Sequence, residues 1–125
     1  METKLEPGNA EAAYRLGSAL LQQGKVKEAR AQLERADKLQ PEMPETLYSM
    51  GKAASLEGDA RSAERAWTKV VEIEKGSELA AQAHFALAGM YRKQGKAEDA
   101  EREMGEFKKL KTHPLRPKAL RSSHS

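Results

Sequence analysis

One phrase is written three times in this chain: LGSALLQQGKVKEA at 16–29, MGKAASLEGDARSA at 50–63 and LAGMYRKQGKAEDA at 87–100. The spacing is close to 34 residues. A supersecondary unit repeated in tandem at this period buries its apolar face by stacking on the next copy, so the chain is limited to an array of like units. An array of this kind points to binding rather than catalysis.

Counted from Ala10, Pro44 and Ala81, the eighth position of the unit reads Gly17, Gly51 and Ala88, and the twentieth reads Ala29, Ala63 and Ala100. Glycine inside a helix costs about 1 kcal/mol relative to alanine, so two of them at one repeat position predict a close crossing of two helices. Between the small positions the apolar residues fall at helical spacing. Leu16 with Leu20, Leu47 with Met50, and Leu87 with Met90 and Tyr91 mark the first half of each unit; Leu33 with Ala36, Trp67 with Val70, and Met104 with Phe107 mark the second. Each unit is therefore read as two amphipathic helices. Gly24, Gly58 and Gly95 follow the first helix at one repeat position, where a left-handed residue releases the chain. Asp59 and Ser77 are suited to cap the helices after them, Pro44 to open one, and Pro41 to close the first unit.

This pattern resembles the tetratricopeptide repeat family, whose units are helical hairpins of 34 residues with small residues at positions 8 and 20. Leu16, Gly17, Gly24, Ala29, Leu33, Ala36 and Pro41 carry the resemblance in the first unit, which lacks the family's aromatic residues at positions 4, 11 and 24. Gly51, Gly58, Ala63 and Trp67 carry it in the second, where Lys75 replaces the closing proline. The third has Leu87, Ala88, Tyr91, Gly95, Ala100 and Phe107. The resemblance implies an all-α fold, a right-handed α-solenoid of three antiparallel helical hairpins. Its expected limits are one domain over 10–111 with units 10–43, 44–77 and 81–114, a lead-in over 1–9 and a basic tail over 112–125. One interval departs from the period: Ala29 to Ala63 is 34 residues, but Ala63 to Ala100 is 37. Three extra residues near 78–80 predict a longer first helix in the third hairpin, or else a longer loop.

The 125 residues are enough for one domain, and three repeats are about the minimum for such an array to hold together. No run approaches the roughly 20 apolar residues of a spanning helix, and METKLEPGNA lacks the apolar core of a signal peptide, so a soluble chain is expected, with the cytoplasm favoured. With no cysteine there is neither a disulfide framework nor a thiol site. His84, His113 and His124 are the only histidines, and no pair of them at helical spacing accompanies a carboxylate, so no metal, cofactor or enzyme activity is expected. His84 is read as a partly buried structural residue.

The net charge of +3 resides at one end. Lys108, Lys109, Lys111, Arg116, Lys118 and Arg121 all follow the last acid, Glu106, which leaves 16 basic against 19 acidic residues over 1–107. The segment THPLRPKALRSSHS has two prolines and no helical periodicity, and reads as a linker or disordered end. A nucleic-acid adaptor using this tail is one alternative function, disfavoured because the segment has no aromatic ring to stack on a base.

The resemblance places the binding surface on the first helix of each unit, which lines the concave groove. Its fifth position reads Tyr14, Tyr48 and Phe85, half of the six aromatics other than histidine. The ninth gives Ser18, Lys52 and Gly89, and the twelfth Leu21, Ser55 and Arg92. Such a surface suits a peptide or helix from another protein, with the cations favouring acidic groups; the rings could equally serve only to pack neighbouring first helices. Some members of the family clamp the C-terminal carboxylate of heat-shock chaperones with lysines, asparagines and an arginine. The matching positions here are Tyr14, Ser18, Ser49, Gln82 and Ala86, and none has the side chain required. A further alternative is self-association: Met90 and Leu110 are expected to lie exposed at the edge of the last repeat, where a second copy would form a homodimer.

Overall fold

The computed structural model describes residues 9–112, and the chain within them forms six helices. They are α1 (Ala10–Gln22), α2 (Val26–Leu39), α3 (Pro44–Leu56), α4 (Ala60–Ile73), α5 (Glu78–Lys93) and α6 (Ala97–Thr112). No strand occurs among the described residues. The lead-in before Asn9 and the tail after Thr112, with its charges and with His113 and His124, lie outside them.

The helix boundaries follow from local chemistry. Asn9 opens α1 by accepting the Ala12 N–H on its side chain at 2.9 Å, Pro44 stands in the first turn of α3, and Ser77 opens α5 by accepting the Ala80 N–H at 3.0 Å. The first helix of each pair ends in one motif used three times. Gly24, Gly58 and Gly95 have φ near +80°, and the residue after each donates its N–H five residues back, Lys25 to Leu20, Asp59 to Ala54 and Lys96 to Tyr91, at 2.8–2.9 Å. These bonds satisfy carbonyls that the helix end would otherwise leave open. The interval that departs from the period enters as helix: α5 has 16 residues where α1 and α3 have 13, and it begins at Glu78 rather than at Ala81.

The chain divides into two compact units, Met1–Ala66 and Trp67–Ser125. In the first, α1 packs on α2 and α2 on α3 around a core of small residues: Ala13, Ala29, Ala36, Ala53 and Ala54 are buried, with Leu33 the largest of its fully buried side chains. Small residues let helix backbones approach closely, which is the property the repeat phrase encodes. A Cβ built on Gly17 would stand 2.7 Å from Leu33 Cγ and 3.2 Å from the Ala29 carbonyl oxygen. In the second, α5 packs on α6, with Ala80, Ala81, Ala83, Leu87, Ala88, Tyr91 and Ala100 buried. The seventh repeat position differs between the two, since Leu87 is 3% exposed and Leu16 is 48% exposed.

Candidate functional site

Each first helix presents the expected side chains on a single stripe, because spacings of four and seven residues return to one face of a helix. On α1 the stripe is Tyr14, Ser18 and Leu21, all half-buried, and the Ser18 hydroxyl is out of solvent without a hydrogen-bond partner among the described residues. On α3 it is Tyr48 and Ser55, half-buried, with Lys52 exposed between them. Helices α1 and α3 touch, so within the first unit the two stripes belong to neighbouring helices. Burial pushes the Tyr48 phenol above its ordinary pKa, as expected where a ring is held partly out of water.

The second unit carries the third stripe on α5, with Phe85 and Arg92 exposed and Gly89 half-buried. Space is open around Gly89, where an added Cβ would meet nothing within 4 Å, in contrast to the crowded Gly17. Lys52 and Arg92 have no ion pair among the described residues. They are available cations on otherwise aromatic and small-residue stripes.

The structure corrects the expected edge. Met90 is buried within the second unit at 8% exposure, so it offers no surface to a second copy. Leu110 is half-buried, less exposed than its counterparts Leu39 at 38% and Ile73 at 39%. Met104 and Phe107 are half-buried as well. Their counterparts Leu33 and Trp67, and Ala36 and Val70, are buried, whereas Met104 and Phe107 are only half so. Phe107 lies against Phe85, ring centroids 5.1 Å apart and tilted by 49°, so Phe85 leans on α6 while keeping 55% of its surface exposed.

Two polar ties also escaped the sequence. Arg30 on α2 reaches the turn between α3 and α4, donating to Glu57 Oε1 and to Asp59 Oδ2 at 2.8 Å each. Asp59 also accepts the Ser62 N–H as the cap of α4, and the Arg30 guanidinium with this N–H lowers its carboxyl to about 2. In the second unit His84 Nδ1 lies 2.6 Å from Glu103 Oε1, both side chains largely buried, and joins α5 to α6. Among the described residues no three His, Cys, Asp or Glu side chains gather to hold a metal ion.

Two models of the tetratricopeptide repeat match the sequence, one over residues 3–54 and one over 48–106, and together they take in the three glycine turns and reach the middle of α6. The chain belongs to the tetratricopeptide repeat family. The solved structures agree on the fold. A crystal structure of MamA is similar with a TM-score of 0.80 at 24% identity, covering 86% of this chain and 61% of that one. The type III secretion chaperone SycD of Yersinia enterocolitica, in complex with a peptide of the translocator YopD, is similar with a TM-score of 0.78 at 16% identity, covering 97% of this chain and 90% of that one. This tetratricopeptide repeat chain thus spans about three fifths of the length of MamA. A comparison with curated proteins gave no match. No helix among the described residues is long and apolar enough to cross a membrane.

Proposed function

We propose that this tetratricopeptide repeat chain is a protein-interaction scaffold without chemistry of its own, and that its first helices take up a peptide or helix of a partner protein. The observation that carries the reading is the stripe itself. In the first unit, Tyr14, Ser18 and Leu21 on α1 stand on the helix next to Tyr48, Lys52 and Ser55 on α3, none of them fully buried. Half-buried tyrosines offer large apolar area at small rotamer cost while leaving a polar rim for a ligand. In the second unit α5 repeats the order with Phe85, Gly89 and Arg92. Lys52 and Arg92, unpaired among the described residues, favour acidic groups on the partner. That SycD was solved with a translocator peptide supports a peptide as the kind of ligand this fold accepts.

The match of tetratricopeptide repeat models across residues 3–106 favours a scaffold over an enzyme. The decisive experiment selects binders from a random peptide library on the immobilised chain. Peptides so obtained should be enriched in acidic residues beside an apolar anchor, and Tyr48→Ala or Lys52→Ala should each weaken them, the tyrosine change by about tenfold or more. Peptides that bind the triple variant Tyr14→Ala, Tyr48→Ala, Phe85→Ala as well as the parent chain would move the site elsewhere.

A further inference from the structure

The outward stripe of α6 reads Glu101, Met104, Gly105 and Lys108, at intervals of three, four and seven residues, which is one face of a helix. Glu101, Gly105 and Lys108 are exposed and Met104 is half so. Neither Glu101 nor Lys108 has an ion pair among the described residues. Gly105 lacks a reason in its own fold. Glycine costs about 1 kcal/mol in a helix interior relative to alanine. Gly17 is explained by the Leu33 side chain against it, but a Cβ on Gly105 would meet nothing within 4 Å.

The order of these four residues is complementary to itself when reversed. Acid, methionine, glycine, base, read backwards, sets base against acid and glycine against methionine. Two copies of α6 laid antiparallel across a two-fold axis between residues 104 and 105 therefore place Glu101 of each opposite Lys108 of the other. Met104 of each then enters the hole that Gly105 of the other leaves. The next turn outward continues the match, with exposed Glu98 opposite Lys111, a lysine that also reaches Glu78 at 3.3 Å within its own chain. We infer that the α6 face is an isologous interface, and that its occupant is a second copy of this chain. A foreign helix would have to carry the same reversed order to fit; a second copy carries it by symmetry. Small residues at the crossing bring two helix axes within the usual 8–10 Å or closer. The inference is independent of where a peptide binds on the first helices.

One helix pair buries less than a standard interface, so the dimer should be weak and populated at concentrations on the order of 100 μM. Sedimentation equilibrium of the full chain up to about 1 mM tests it, with circular dichroism confirming that each variant is folded. Glu101→Lys and Lys108→Glu each turn two attractive pairs into repulsive ones and should each raise the dissociation constant by about tenfold, more at low salt. The double reversal restores both pairs with opposite polarity and should recover the parent value. Gly105→Gln should weaken the dimer by about tenfold while raising the melting temperature of the monomer, because it fills the hole with a better helix former. A chain that stays monomeric to the highest concentration, a dimer indifferent to either single reversal, or a double reversal that recovers nothing would each overturn the interface.

Discussion

A methyl group on Gly17 would stand 2.7 Å from Leu33 Cγ and 2.9 Å from Leu33 Cδ2, closer than such carbons pack. Leu33 is fully buried and cannot swing aside, and the Ala29 carbonyl oxygen at 3.2 Å is backbone. Overpacking of this kind costs about 1–3 kcal/mol, against about 1 kcal/mol gained in helix propensity. Gly17→Ala should therefore lower stability in urea by about 1–2 kcal/mol, and most of that loss should vanish in the background of Leu33→Ala. Glu42 presents the opposite case. It adopts φ +62°, while Gly76, 34 residues later, adopts +79° at the same point of the following link. A left-handed glutamate costs roughly 1–2 kcal/mol of backbone strain, which glycine avoids at the expense of a freer unfolded chain. The register pairs Glu42 with Gly76 in the sequence, but that the glutamate itself adopts the left-handed backbone appears only in the structure.

At the scale of helices, Asp59 performs two tasks. It caps α4 through the Ser62 N–H and accepts Arg30 from α2, so its carboxyl sits at about 2 where 3.8 is ordinary. A depressed carboxyl contributes stability that is complete above the unfolded value and is lost as pH falls towards the folded one. Asp59→Asn keeps a capping oxygen and removes the charge. The variant should be less stable than the parent at pH 7, and thermal melts should show the difference closing between about pH 4 and pH 2. A gap that persists at pH 2 would assign the effect to packing. The cap was legible in the sequence because a short acid before a helix has few other uses. Arg30 as its partner was not, because an arginine on an exposed helix face has many acids within reach and only the packing of α2 on α3 selects among them. The added residues of α5 show the same limit. The interval revealed their number, and the lack of a breaker left helix and loop both open until Ser77 was seen to cap a helix starting at Glu78.

For the molecule as a whole, periodicity was the legible part. It gave the six helices, their turns and the small residues of each core, since these depend on local sequence and on contacts one repeat away. Exposure at particular positions was harder. Phe85, Met104 and Phe107 occupy repeat positions also held by Tyr14 and Tyr48, by Leu33 and Trp67, and by Ala36 and Val70, yet they are more exposed than these. A repeat predicts what a residue is shaped to do, not how far each copy is buried. The three glycine turns illustrate a last consequence. Their backbones match so closely that the chain could exchange one for another without altering a helix end. The residue after each glycine, however, is Lys25, Asp59 or Lys96, and only the aspartate can face Arg30. Moving the first turn into the second place would set lysine against arginine. The turns are alike in geometry, but the second is tied by charge to Arg30, so moving it requires a paired change at Arg30.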